Sequence, residues 1–67
     1  MFMLNLFKAK MAERELCVKE VATALGINEA TLYRKMRGET EFTRNEIQHI
    51  RNIMQMTPAE VDAIFFA

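Results

Sequence analysis

The sequence is poor in the residues that cross-link or interrupt a small domain. It contains one cysteine, one proline, two glycines and no tryptophan among its 67 residues. One cysteine cannot form an internal disulfide, so nothing indicates a secreted, disulfide-stabilised scaffold. The scarcity of glycine and proline also leaves no linker or low-complexity segment. The composition therefore predicts a single domain over residues 1–67.

The chain has no excess of charge of either sign. Nine lysines and arginines balance nine aspartates and glutamates, which gives a net charge of zero. Proteins that bind nucleic acid usually carry a basic excess. The charge balance on its own therefore favours a protein partner over nucleic acid.

No hydrophobic run is long enough to enter a membrane. The apolar N-terminal segment is interrupted at Asn5 and ends at Lys8, and no small-residue cleavage pattern follows. This segment is too short for a signal peptide or a membrane span. Its residues Leu4, Phe7 and Met11 recur at the spacing of an amphipathic helix that faces a core. A helix lying on a membrane surface is the alternative, but its polar face would mix lysine with glutamate.

Residues 18–37, VKEVATALGINEATLYRKMR, have the pattern of two short helices joined by a tight turn. Apolar residues recur at helical spacing in both halves: Val21, Ala22 and Leu25, then Leu32 and Met36. Between the halves, Gly26 suits a positive φ, Ile27 is apolar and Asn28 is a good helix cap. The methyl side chain of Ala22 allows the two helices to cross closely. This pattern is typical of a DNA-binding helix-turn-helix.

The rest of the chain predicts three more helices. One of the three precedes the pair already described, so the first three helices of the chain are expected at Leu4–Arg14, Val18–Leu25 and Glu29–Arg37. The other two follow the pair and begin after Thr43 and Thr57. Each threonine is followed three residues later by a glutamate, which completes a capping box, and Pro58 occupies a first helical position. No segment alternates with period two, so no sheet is expected. The sequence predicts an all-α fold of five helices.

The last helix ends in two adjacent phenylalanines, Phe65 and Phe66. Neighbouring residues of a helix lie about 100° apart, so both rings cannot face the same core. Phe65 continues the apolar stripe of Val61 and Ile64, which leaves Phe66 on another face. An exposed apolar patch often marks an interface. We therefore predict a twofold dimer through Phe66; a frayed terminus is the alternative.

The chain resembles the lambda-repressor-like group of helix-turn-helix regulators of the Cro and Xre type, and especially its small single-domain bacteriophage members. The resemblance extends from the first helix through VKEVATALGINEATLYRKMRG to the ending MTPAEVDAIFF. The residues that fall at the family spacing are Ala22, Gly26, Ile27, Leu32 and Gly38. The resemblance implies a compact five-helix lambda-repressor-like domain with the helix-turn-helix at the second and third helices.

The resemblance also implies how DNA is bound. The third helix would lie in the major groove, and two protomers would contact half-sites about 34 Å apart. By matching position, the residues that face base edges would be Asn28, Glu29, Ala30 and Arg34. The phosphate contacts would come from Val18, Lys19, Thr31, Tyr33, Lys35, Arg37, Thr43 and Arg44. At Val18 and Thr43 the backbone amides of a helix N-terminus would make the contact.

Several of these residues have a second interpretation. Arg34, Lys35 and Arg37 also fit an ordinary solvated helix face, and Tyr33 also fits surface packing. Glu29 stabilises a helix N-terminus through the helix dipole whether or not it contacts DNA. Outside this set, the lone His49 is expected to be solvated. Cys17 has neither a second cysteine nor a base nearby, and the methionines are expected to fill the core.

Four positions depart from the family pattern. Cys17 stands where a polar residue often caps the second helix, so that cap is weak or supplied by another group. Val18 stands where a glutamine often contacts a phosphate, so that contact is lost. Met11 and Met36 stand where many relatives have an Arg–Glu pair, and the loss of both charges together avoids an unpaired buried charge. We therefore predict that these two side chains touch in the core.

We interpret the chain as a sequence-specific regulator, a phage Cro-like repressor that binds a double-stranded DNA operator in a bacterial cytoplasm, as a homodimer at least on DNA. No cofactor, metal ion, small-molecule ligand or membrane is expected to take part. Catalysis is not expected, because histidine, cysteine, serine and carboxylates form no set at a workable spacing. The alternative is a protein-interaction module on the same scaffold, such as an antirepressor or antitoxin-like partner, which the neutral charge and Val18 favour.

Overall fold

Five helices and no strands make up the fold in a computed structural model that describes all residues from 1 to 67. The helices are α1 (Leu4–Glu13), α2 (Val18–Leu25), α3 (Glu29–Met36), α4 (Arg44–Ile53) and α5 (Pro58–Phe65). The all-α, five-helix prediction is confirmed. Two helices end one residue earlier than predicted, since Arg14 and Arg37 are the C-cap residues of α1 and α3.

The starts of α4 and α5 are fixed by their two capping boxes. Thr43 Oγ1 accepts a hydrogen bond from the Glu46 N–H at 3.1 Å, and Glu46 Oε1 accepts one from the Thr43 N–H at 2.8 Å. Thr57 and Glu60 repeat this exchange at 3.2 and 2.8 Å. Each box satisfies two backbone N–H groups that a helix end leaves without a partner. Both predicted caps are therefore confirmed.

The turn between α2 and α3 depends on Gly26. Its φ is 71°, a left-handed conformation that a residue with a Cβ adopts only under strain. The chain then turns back on itself, and the Ile27 N–H donates to the carbonyl oxygen of Ala22 at 3.0 Å. Asn28 begins α3, with its Oδ1 accepting from the Thr31 N–H at 2.7 Å. The sequence prediction of a glycine turn followed by an asparagine cap is confirmed.

The core is formed by apolar side chains from all five helices. Its fully buried members are Phe7, Val21, Leu32, Ile50 and Met54. α2 packs against α3 and α4, and α5 packs against α1 and α4. Met11 and Met36 belong to the same cluster and are only 6% and 5% exposed, so the core position predicted for both is confirmed, while their direct contact stays a prediction.

Four phenylalanine rings bring the N-terminal segment, α1, the α3–α4 loop and α5 together. Phe2, Phe7, Phe42 and Phe65 stack around one another with ring centroids 5.0 to 6.2 Å apart. Such tilted and edge-on pairs are favourable beyond the area they bury. Through Phe42 the cluster holds the loop between α3 and α4 against α1 and α5.

None of the helices combines the length and the apolar content needed to cross a membrane.

Candidate nucleic-acid interface

One side of α3 is buried in the core and the other is open to solvent. Leu32 and Met36 face inward, whereas Glu29, Ala30 and Arg34 are exposed. Ala30 and Arg34 lie almost in line because they are four residues apart in the helix, and Glu29 lies beside them in its first turn. Asn28 is exposed just before the helix. The four residues predicted to contact bases therefore lie together on the solvent side of α3.

Asn28 already has a structural role at this face. Its Oδ1 accepts the Thr31 N–H at 2.7 Å and caps the helix. An amide oxygen has two lone pairs, and the Asn28 amide nitrogen has two N–H groups. No other side-chain hydrogen bond involves Asn28. Its amide can therefore cap α3 and still donate to a partner outside the protein.

Arg34 is the free cation of this face. It makes no ion pair and no side-chain hydrogen bond within the protein, and it is exposed. Because the guanidinium has no partner within the protein, all five of its N–H donors are available, and two of them can make a bidentate contact. Tyr33, next to it, is also exposed.

Lys35, unlike Arg34, is buried and has partners within the protein. Its side chain is only 10% exposed, and its Nζ lies 3.0 Å from Glu46 Oε1 on α4. The same Nζ donates to the carbonyl oxygen of Glu41 at 3.0 Å. The reason is its position three residues after Leu32 and next to Met36, on the inward side of α3. In the protein by itself, the Lys35 ammonium thus connects α3 to α4 and to the loop between them, and it is not free for the predicted phosphate contact.

Glu46 holds its charge in this half-buried setting. Burial alone raises the pKa of Glu46, but the Thr43 N–H and the Lys35 ammonium together outweigh it and lower the pKa below the usual value of a glutamate. A carboxylate stabilised by a cation and a backbone N–H stays ionised at neutral pH. The partner of Lys35 is therefore an anion.

The other predicted phosphate contacts are more accessible. Arg37 pairs with Glu39 at 2.7 Å, but both side chains are more than half exposed, at 56% and 54%, so this pair is open to competition. Lys19, Thr43 and Arg44 are exposed. Val18 and Thr31 are half-buried, and the Thr31 N–H is taken by Asn28.

The family model described as Cro/C1-type HTH DNA-binding domain matches residues 7–62 of the chain. The chain belongs to the Cro/C1-type helix-turn-helix family. Neither a curated protein nor a solved structure gives a significant match. The matched residues run from the start of the core in α1 to the middle of α5 and include the whole helix-turn-helix, so this Cro/C1-type domain is a DNA-binding regulator.

The lysines and arginines of this Cro/C1-type domain fall into two groups, those bonded within the protein and those without a partner. Lys10, Arg14, Lys35 and Arg37 are bonded to carboxylates or backbone carbonyls of the protein. The cations without such a partner are Lys8, Lys19, Arg34, Arg44 and Arg51. Three of these five belong to the predicted DNA-contact set. The free positive charge is thus concentrated in the helix-turn-helix and at the start of α4.

The start of α2 is capped without a polar side chain at the cap position. Cys17 is the N-cap residue, and its N–H donates to Glu20 Oε1 at 3.0 Å. This N–H lowers the pKa of Glu20. The weak cap expected from Cys17 is therefore supported by the glutamate three residues later.

Proposed function

We propose that this Cro/C1-type domain is a sequence-specific transcriptional regulator of the phage repressor kind, which acts in a bacterial cytoplasm and inserts α3 into the major groove of its operator. The observation that carries the proposal is the exposed face of α3, where Arg34 has no partner within the protein while every neighbouring inward residue is buried. A helix presented in this way fits the major groove, whose width admits an α-helix.

Each residue on this face has a base whose edge it can recognise. Arg34 can donate two hydrogen bonds to guanine, and Glu29 can accept one from the amino group of cytosine. Ala30 can contact a thymine methyl group. The free N–H groups of Asn28 can donate to an adenine N7 while its Oδ1 keeps the cap. These assignments give α3 a preference at up to four base pairs.

Phosphates would be held around this face by exposed groups of α2, α3 and α4. The side chains proposed for these contacts are the exposed Lys19, Tyr33, Arg37, Thr43 and Arg44, together with the half-buried Thr31. Backbone N–H groups at the start of α2, at Val18, and in the first turn of α4 after Thr43 add to them; the Thr43 N–H itself is taken by Glu46. Lys35 is left out because its ammonium is bonded inside the protein. Such contacts determine the register and orientation of the domain on the duplex, but they do not recognise its base sequence.

Selection from random duplexes, followed by gel shift, tests this proposal. We expect enrichment of one palindromic sequence with two half-sites about one helical turn apart. A pool that stays random after repeated rounds, at low salt, would contradict sequence-specific binding. The selected duplex then serves as the probe for every variant below.

A protein-interaction module on the same scaffold is the second candidate. The zero net charge favours it, as does the half-buried Val18, whose side chain has no polar group to offer a phosphate. In that case the exposed face of α3 would contact a protein, and the selection would enrich nothing. Binding of a second protein that Arg34→Ala weakens would support this alternative.

Salt dependence should be shallow. We expect a slope of log K against log salt of roughly −3 to −4 per protomer, which corresponds to the neutralisation of about three to four phosphates. The slope is shallow because few of the cations that lack a partner within the protein face the duplex. The measurement is gel shift or anisotropy on the selected half-site at several salt concentrations. A slope steeper than about −7 would indicate a far more basic surface.

We also propose that the domain binds its operator as a homodimer through Phe66, which is 64% exposed. Beside the ring lies a groove that carries both signs of charge, Arg51 and Asp62, so that two copies related by a twofold axis can present opposite charges to each other. A hydrophobic side chain between charged neighbours is a common centre of such an interface.

Phe66→Ser should therefore weaken dimerisation and lower the affinity for the palindrome more than for the half-site. Sedimentation equilibrium of the wild type and the variant, with and without DNA, measures the change. Leu6→Ser is the matched control, because it also removes an exposed apolar side chain, but one that lies on α1. Dimers that persist in Phe66→Ser but not in Leu6→Ser would place the interface on α1 instead.

A further inference from the structure

Two glutamates of this domain each perform the same pair of tasks. Glu46 caps α4 by accepting the Thr43 N–H at 2.8 Å, and it lies 3.0 Å from the Nζ of Lys35 on α3. Glu60 caps α5 by accepting the Thr57 N–H at 2.8 Å, and its other oxygen accepts from Lys10 of α1 at 2.6 Å. Both lysines are almost completely buried. A residue that starts one helix thus also bonds that helix to another.

The two arrangements differ in what they connect. Lys10 and Glu60 connect α1 and α5, which carry no proposed DNA contact. Lys35 and Glu46 connect α3 to the start of α4, where Thr43 and Arg44 are exposed. Lys35 directly follows Arg34 in α3. Only the second pair therefore lies between a base-reading residue and a phosphate contact.

The Lys35–Glu46 pair is shielded from solvent and constrained from several sides. The two side chains are only 10% and 14% exposed, so salt screens their attraction less than that of a surface pair. Lys35 also donates to the Glu41 carbonyl oxygen, which fixes the loop between the two helices. The Glu46 oxygen that faces Lys35 is the oxygen that accepts the Thr43 N–H. Moving α3 relative to α4 would break several of these bonds together.

We propose that Lys35 and Glu46 are positioning residues that set the placement of Arg34 on α3 relative to Thr43 and Arg44 at the start of α4. The inference rests on the proposed function, in which α3 contacts bases and the start of α4 contacts a phosphate. Groups that touch a ligand keep their geometry only when residues behind them hold them in place. This pair lets the phosphate contact determine the depth and angle at which α3 lies in the groove.

The test compares Glu46→Gln with Glu60→Gln. In both variants the glutamine retains an amide oxygen that can accept the cap N–H, and both remove a carboxylate that faces a buried lysine. Lys10 keeps a second carboxylate, Glu13, at 2.6 Å, so the control is also made as Glu13→Gln/Glu60→Gln. Lys35→Met removes the ammonium but keeps the apolar stem, and it leaves the cap of α4 intact. Circular dichroism at the assay temperature checks that each variant is folded.

The measured quantity is the ratio of affinity for the selected half-site to affinity for a scrambled duplex. We expect this ratio to fall by about tenfold in Glu46→Gln and in Lys35→Met. In Glu60→Gln we expect a change of less than about twofold. The double variant Lys35→Met/Glu46→Gln should be no worse than Lys35→Met alone, since both single variants remove the same ion pair and Lys35→Met also removes the hydrogen bond to Glu41.

Ethylation interference adds a readout that a loss of stability alone does not change. We expect Glu46→Gln to weaken the interference signal at the phosphate next to Arg44 and to leave the others in place. Equal ratios in Glu46→Gln and Glu60→Gln, with the wild type still selective, would overturn this inference alone. A wild type that prefers no duplex would overturn the proposed function and the inference with it.

Discussion

Met11→Arg is expected to lower the free energy of unfolding by about 3 kcal/mol or more, because the new guanidinium would be buried without an anion beside it. Met11 is only 6% exposed and belongs to the central apolar cluster. For a domain of this size, such a loss corresponds to a fall in melting temperature of roughly 12 °C or more. Thermal and urea unfolding, followed by circular dichroism, measure the change.

Two further variants show whether the missing charge partner is the cause. Met11→Leu keeps the volume and the apolar character, and should cost less than about 1.5 kcal/mol. Met11→Arg/Met36→Glu should recover part of the stability, because it restores the ion pair that many relatives carry at these positions. A Met11→Arg variant with an unchanged melting temperature would show that this position reaches solvent.

Arg34→Ala should relax the preference of the domain at one base pair, at a cost of about 1–3 kcal/mol for the correct sequence. The reason is that a bidentate contact from Arg34 to guanine would be lost while every phosphate contact remains. Affinities for the selected half-site and for its three single-base alternatives at each position measure the effect. The expected result is a loss confined to one position.

Two other cations serve as controls for this result. Arg44→Ala should weaken binding to all sequences about equally and make the salt slope shallower by about one unit. Lys8 on α1 has no partner within the protein either, and Lys8→Ala should leave both quantities nearly unchanged. If Arg34→Ala also weakened all sequences equally, Arg34 would be a phosphate contact and the base assignment would be wrong.

The helix boundaries could be predicted from the sequence because the signals that set them are local. Thr43 and Thr57 are each capped by a glutamate three residues away, and Gly26 needs only its own backbone to adopt a positive φ. Such contacts span a few residues, so the residue types alone reveal them. The two one-residue differences fall at helix C-termini, where the last turn ends gradually.

The position of Lys35 could not be predicted in this way. A lysine beside Arg34 on a recognition helix looks like a phosphate contact, and Glu46 looks like a cap and nothing more. Their pairing depends on how the α3–α4 loop returns the chain, which in turn depends on Phe42 packing against Phe2, Phe7 and Phe65. The one sequence signal was the inward spacing of Lys35, three residues after Leu32.

The double use of Glu46 and Glu60 also has a consequence for how this small domain folds. Helices of eight to ten residues, the lengths of α5 and α4, are marginal in water by themselves. Here the carboxylate that caps the start of each helix is paired with a lysine from another helix. An α4 or α5 that has formed but not yet docked therefore lacks part of what stabilises its first turn in the folded domain.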